Sequence, residues 1–225
     1  MKQRMAALRP DLTERQAEAF ETYYELLTDW NERINLTAIT EKEDVAKKHF
    51  ADSLAAADLL PEGAACIDVG TGAGFPGVPL LILRPDLRMT LLDSLQKRLA
   101  FLDALLGRLG LSAELVHARA EDAGRDPKRR ERYDIVLSRA VSPLPVLLEL
   151  TTPFLKTGGT AVAYKGNASQ EIADAARAAR LLNVTLSCRE VPSDCGVRTL
   201  VLAKKTAPTP KAYPRKAGTP SKQPL

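Results

Sequence analysis

Residues 67–77 read IDVGTGAGFPG, an apolar run that breaks into four closely spaced glycines. Glycine adopts positive-φ turns that other residues resist, so such a backbone can approach a ligand closely. Asp68 stands just before the first glycine. A carboxylate there repels a pyrophosphate and suits a ligand carrying positive charge. S-adenosylmethionine, with a sulfonium, an ammonium and no phosphate, has that pattern. Residues 72–77 also satisfy GxGxxG, which alone points only weakly to a dinucleotide. No Gly-Lys-Ser/Thr follows, so this is not a Walker loop. The next apolar run ends in Asp93, placed to accept hydrogen bonds from both ribose hydroxyls. That acid suits NAD nearly as well, so it indicates an adenosine ligand without choosing between the two. Ala120, Glu121 and Asp122 follow a third run and are placed to border an adenine. The two acids equally suit the start of a helix.

Arg139, in Ser138-Arg139-Ala140 after a fourth run, offers a planar donor fork for a guanine edge, a carboxylate or a phosphate. Its plainer role is a structural ion pair. Lys165, in YKG, is expected at the edge of the same cleft, facing phosphate or solvent. His49 reads as a polar contact from a helix or as a structural residue. Tyr23, Tyr24 and Trp30 sit at helical spacing and read as core anchors rather than base-stacking platforms. Lys128, Arg129, Arg130 and Arg132 form a basic cluster diluted by Asp126 and Glu131, a solvated loop or an RNA-contacting edge. Cys66, Cys188 and Cys195 lack metal-ligand spacing and are odd in number, so reduced thiols and no metal are expected.

The elements that must position these residues are legible from residue 65 onward. Strands are expected at 66–69, 89–92, 114–117, 134–137, 160–164, 184–189 and 198–203, and helices at 76–83, 95–109, 145–154 and 169–182. Their alternation implies a mostly parallel sheet with helices on both faces. The last two strands are joined only by VPSDCG, too short for a crossover, so they form an antiparallel hairpin. Ahead of the sheet, Thr13 and Gln16 have capping-box spacing, with Phe20, Tyr24, Leu27 and Trp30 following along one face. Thr40 and Glu43 repeat the capping signal. The chain divides into a helical extension (residues 1–62), a cofactor-binding domain (63–205) and a basic, Pro-rich tail (206–225).

With 225 residues, 45% of them hydrophobic and 27% charged, the chain can bury a real core. The net charge of +4 is smaller than the six positive charges from Lys204 onward, so the rest of the chain is net acidic. The tail reads as an arm for an anionic partner or as a solvated end. No run approaches the roughly 20 apolar residues of a membrane span, and the first residues lack a signal-peptide core. A cytoplasmic protein is expected.

The combination of GTGAGFPG with WNERINLTAI, HFADSL, LLDSLQKRLAFL, RAED, YDIVLSRA, YKG and YPRKAGTPSKQPL resembles the RsmG (GidB) family of bacterial small-subunit ribosomal RNA methyltransferases. The resemblance implies a class I S-adenosylmethionine-dependent methyltransferase fold. That is a Rossmann-like, mostly parallel seven-stranded sheet with a C-terminal antiparallel hairpin and an N-terminal helical extension. It implies methyl transfer to guanine N7 in the decoding-region loop of 16S rRNA, with that RNA or the small ribosomal subunit as partner. Carried over by motif, cofactor contacts fall on Gly70, Phe75, Asp93, Ser94, Leu95, Ala120, Glu121 and Arg139, and Asp68, Gly72 and Gly74 complete the loop. His49, Lys165, Arg215 and Lys216 are the expected RNA contacts. The YPRKAGTP piece also allows part of the tail to fold back on the domain. A monomer is expected.

The absent motifs agree with that acceptor. Amino-group methyltransferases commonly carry Asn/Asp-Pro-Pro-aromatic where this chain has Ser138-Arg139-Ala140. Pyrimidine C5 methylation needs a nucleophilic cysteine, and none stands in a Pro-Cys arrangement. Guanine N7 carries a lone pair and no proton, so orientation is the chief demand and no general base is expected. Arg139 is then a positioning group. Two other classes compete: an NAD-dependent oxidoreductase, for which only His49 and His117 offer a histidine for proton transfer, and an RNA-binding module without turnover.

Overall fold

Successive residues along the strands fall into two different apolar clusters. Cys66, Ile135 and Leu137 belong to one, Ile67 and Val136 to the other. Strand side chains alternate faces, so both faces of this sheet must be covered. The computed structural model describes residues 1–192 and 196–225. Cys195 lies outside the described residues; Cys66 and Cys188 are free thiols.

The seven strands are β1 (Ala65–Val69), β2 (Arg88–Asp93), β3 (Glu114–His117), β4 (Tyr133–Arg139), β5 (Leu155–Lys165), β6 (Val184–Val191) and β7 (Arg198–Lys205). They form one sheet in the order β3-β2-β1-β4-β5-β7-β6. β1 to β5 pair in parallel, and β7 runs antiparallel to both β5 and β6. This is the expected sheet with its terminal hairpin. The strand order reverses direction at β1, so the loops after β1 and β4 diverge and leave a crevice at the carboxyl ends.

One face is covered by α1 (Lys2–Leu8), α2 (Glu14–Ile34), α3 (Lys42–Asp44) running into a π-helical segment (Val45–Ala51), a 3₁₀ stretch (Leu54–Leu59), α4 (Gly77–Leu83) and α5 (Gln96–Leu109). The other carries α6 (Ala120–Ala123), α7 (Leu144–Thr151), α8 (Ser169–Asp174), α9 (Ala176–Leu181) and the tail with α10 (Thr219–Lys222). The capping box at Thr13 and Gln16 is present. Phe20, Tyr23 and Leu27 are buried, and Trp30 packs edge-on against Phe101 at 5.8 Å, so the aromatics anchor the core.

Three elements differ from the sequence reading. Helix α1 was not anticipated, because Met5 and Leu8 give too little periodicity, yet Met5 is fully buried. Thr40 does not cap α3: the helix starts after Glu41 without a side-chain cap, and the Thr40 carbonyl accepts from Tyr24 Oη at 3.2 Å. The helix expected over 169–182 divides at Ala175, whose φ of −82° and ψ of −2° end one helix and start the next.

The tail is ordered against the domain. Arg130 donates to the carbonyls of Thr209 and Tyr213 at 2.8 Å, and Arg125 to that of Pro214 at 2.8 Å. Arg130, expected in a solvated or RNA-contacting cluster, is thus a structural clamp. Lys205 is buried, with Nζ 2.6 Å from Glu131 and 2.7 Å from the Leu155 carbonyl.

Candidate active site

The glycine loop joins β1 to α4 at the point where the strand order reverses. The amides of Gly70 and Thr71 donate to the Leu92 carbonyl at 2.9 and 3.1 Å, tying the loop to β2. Gly72 has φ of +61°, and a Cβ there would meet only the Gly70 carbonyl at 4.0 Å. The turn requires glycine while the space beside it stays open. Asp68 is wholly buried below this loop. Its Oδ2 accepts from Thr71 Oγ1 at 2.8 Å and from the Gly77 amide at 3.0 Å. Its Oδ1 is buried with no partner. Burial pushes this carboxyl up to about 6 against the pull of Thr71, Gly77 and Arg139. A buried acceptor without a donor is costly.

Asp93 ends β2 and is also buried. Its Oδ2 accepts from the Gly72 amide at 2.9 Å and Arg98 Nη1 at 3.3 Å, and its Oδ1 from the Leu95 amide at 2.9 Å. A carboxylate offers about four acceptor positions, so these donors leave one. For two ribose hydroxyls, Arg98 is the contact to yield, being the longest of the three. Ser94 is exposed, and the apolar side chain of Leu95 is 42% exposed. Ala120 is half-buried and Glu121 buried. Burial opposes ionisation of Glu121, but the Gly218 amide at 2.9 Å and the Arg119 guanidinium outweigh it and hold its carboxyl below the usual range. Glu121 therefore also holds the tail.

Arg139, at the end of β4, ties the helical extension to the glycine loop. Its Nη1 donates to the Lys48 carbonyl at 3.1 Å and to Asp52 Oδ2 at 3.1 Å. Its Nη2 donates to His49 Nδ1 at 3.2 Å, and its Cζ lies 4.8 Å from the Phe75 ring centroid, over the ring. His49 stacks on the same ring at 4.6 Å. Burial, then the nearby Arg139, lowers its imidazole to about 4, so it is neutral. With Nδ1 accepting from Arg139, Nε2 carries the hydrogen and donates to Thr37 Oγ1 at 2.8 Å. The next residue, Ala140, has φ of +55°, a strained value for a residue with a side chain, adjoining the site.

Beyond Arg139 lies a cleft of about 400 Å³ at the carboxyl ends of β4 and β5 and the start of β7. The π-helical segment forms its other side, with Lys48, His49 and, one turn on, Asp52. Lys165 lines it, with Nζ 2.7 Å from Glu171 and 2.8 Å from the Ser142 carbonyl. Arg198 Nε reaches Asp52 Oδ1 at 3.1 Å.

The model of the family described as rRNA small subunit methyltransferase G (GidB) matches residues 16–192. The chain belongs to the GidB family. It is 47% identical over 220 residues to ribosomal RNA small subunit methyltransferase G of Desulfitobacterium hafniense (strain Y51), covering 96% of this chain and 92% of that one. The protein of the same name from Desulforamulus reducens is 46% identical over 232 residues, covering 100% and 97%. Among solved structures, a SAM dependent methyltransferase from Aquifex aeolicus superposes with a TM-score of 0.56 at 16% identity, over 75% of this chain and 96% of that one. That likeness establishes the fold alone.

In this GidB protein the structure brings Asp68, Gly70, Gly72, Gly74, Phe75, Asp93, Ser94 and Leu95 together around the β1 and β2 ends. Arg139, His49 and Lys165 gather on the cleft side. Arg215 is not with them: its amide, Nε and Nη2 all donate to the wholly buried Glu149, at 2.7, 2.9 and 2.6 Å. Its guanidinium is spent inside the protein, whereas Lys216 is exposed. Sequence reasoning missed Asp52 and Arg198 as cleft residues. Asp52 stands three residues after His49, a helical spacing that places both on one face; Arg198 gave no signal.

Proposed function

We propose that this protein transfers the methyl group of S-adenosylmethionine to N7 of a guanine in the decoding-region loop of 16S rRNA. The match over residues 16–192 to a family named for methylating small-subunit rRNA carries this reading. The cofactor supplies an electrophilic methyl on a positively charged sulfur. When it is bound, Asp68 would offset its cationic part, Asp93 would accept from the ribose, and Leu95 would cover the adenine, with Ala120 and Glu121 at its edge. The guanine N7 lone pair would take that methyl, and the sulfonium's positive charge would pass to the purine ring. No proton leaves N7, so no base is required. Arg139 holds the helical extension, Phe75 and His49 in register and thereby orients both ligands.

Among the described residues, no cysteine is placed for nucleophilic chemistry. Cys66 is buried in β1 and burial pushes its thiol up to about 12, while Cys188 lies exposed on the edge strand β6. We read residues 1–62 as the extension that closes the acceptor side, 63–205 as the cofactor-binding domain and 206–225 as a tail that packs on it. We assign the reaction to the cytoplasm and to a monomer. No helix among the described residues is long and apolar enough to cross a membrane.

The test is mass mapping of 16S rRNA methylated by the purified protein, followed by reduction and aniline treatment. Strand scission at one guanine supports N7. Methylation on an exocyclic amine or on C5 of a pyrimidine overturns the reading.

A further inference from the structure

The cleft beside Arg139 contains a carboxylate that the cofactor chemistry does not use. Asp52 is 12% exposed at its side chain, and each oxygen receives one arginine: Oδ2 from Arg139 and Oδ1 from Arg198, both at 3.1 Å. A carboxylate oxygen has two acceptor positions, so each keeps one open. Two guanidinium groups thus fix the plane of the acid and leave one acceptor position on each oxygen. Guanine is the one standard base with two adjacent donors on its Watson–Crick edge, N1–H and N2–H. Adenine and cytosine each place an acceptor beside their amino group, and uracil flanks its single N–H with two carbonyls. The cleft volume of about 400 Å³ lies in the range of small-ligand sites and admits one extruded nucleoside. Ile39 and Val191 give it apolar walls, and Lys48 stands among its cationic lining.

We propose that this cleft receives the target guanine, flipped from its RNA, and that Asp52 is its specificity-determining residue, accepting N1–H and N2–H. N7 lies on a different edge of the purine, so a base held by Asp52 keeps N7 free to face the cofactor. Arg139 then has two duties in one contact chain: it stacks on Phe75 of the cofactor loop and orients the acid that reads the base. An adenine in the same place would set its N1 lone pair against a carboxylate oxygen. This inference rests on guanine N7 being the acceptor.

The experiment is a chemical double-mutant cycle. Small-subunit RNA is ligated with guanosine or inosine at the mapped target position and assembled into particles. Inosine keeps N7, O6 and N1–H and lacks only the N2 amino group. Wild type, Asp52→Ala and Asp52→Asn are compared by single-turnover methylation with enzyme in excess, after thermal melting and cofactor binding have been measured. Wild type should lose roughly 10- to 100-fold in rate on inosine, the effect of one hydrogen bond to a charged group. Asp52→Ala should lose at least as much on guanosine and show no further loss on inosine. Asp52→Asn should lose about as much as Asp52→Ala, because its amide nitrogen faces a donor of the base and cannot accept from the arginine on that side. A purely structural Asp52 predicts the same fold-loss from inosine in wild type and variant. That result overturns the assignment; so does an unchanged wild-type rate on inosine, which decides the matter even if neither variant folds. Absence of N7-methylguanosine from the wild-type reaction on guanosine RNA instead overturns the proposed function.

Discussion

Burial moves Asp68 and His49 in opposite directions on the pH scale, with opposite consequences for stability. The Asp68 carboxyl stands at about 6 in the fold against 3.8 in a free chain. Between those values the native state binds more protons than the unfolded chain, so its contribution to stability falls as pH rises through that window. His49 stands at about 4 against 6.5, so there the unfolded chain binds more protons and stability is lost as pH falls from 6.5 towards 4. Asp68→Asn removes only the first effect. Relative to wild type, the variant should gain roughly 3 kcal/mol of stability between pH 4 and pH 7, measured by denaturant titration at each pH. The same variant should bind S-adenosylmethionine more weakly, because the unpartnered Oδ1 becomes an amide. A variant that is no more stable at neutral pH than at pH 4, relative to wild type, would contradict the burial argument.

At the scale of elements, Asp93 joins the end of β2 to the glycine loop and to the start of α5. It accepts from the amides of Gly72 and Leu95, so its removal frees the two backbone donors nearest the ribose position. Asp93→Ala should weaken S-adenosylmethionine binding by roughly 1.5–3 kcal/mol, read by calorimetry. It should also speed hydrogen exchange at the Gly72 and Leu95 amides while the amides of β1 keep their protection. The π-helical segment works the same way on the other side. Its Lys48 and His49 carbonyls both accept from Arg139, so the extension is pinned to the strand end that carries the site. Irregular helical turns recur at functional sites because they redirect carbonyls and side chains.

Over the whole molecule, the tail divides into cations that hold the fold and cations that face solvent. Arg215→Ala strands the wholly buried Glu149, and breaking such a pair costs about 3–5 kcal/mol. Thermal melting should show that loss, and deletion of residues 206–225 should be at least as damaging. Lys211, Lys216 and Lys222 are exposed. Replacing all three with alanine should leave the melting temperature within a few degrees of wild type. It should flatten the salt dependence of RNA binding, by roughly 2 in the log–log slope if each lysine neutralises one phosphate. An unchanged slope would remove the tail from the RNA interface.

The sheet, its hairpin and the cofactor loop were legible because they rest on local signals. Short continuous apolar runs, glycines where positive φ is needed, and acids at strand ends each act within a few residues. The family resemblance was legible for the same reason, since GTGAGFPG and YPRKAGTP are contiguous. What tertiary structure alone decided involves partners far apart in the chain. Arg215 and Glu149 are 66 residues apart, and Arg198 and Asp52 are 146 apart. Nothing in the basic composition of the tail distinguishes a cation that will meet a buried acid from one that will meet solvent. Helix α1 follows the same logic, since Met5 is buried by elements it meets only after folding. Sequence set which residues could bind a cationic adenosine cofactor. Packing of the extension over the ends of β4, β5 and β7 decided which side chains line the cleft beside Arg139, because a cleft between distant segments exists only once both have docked.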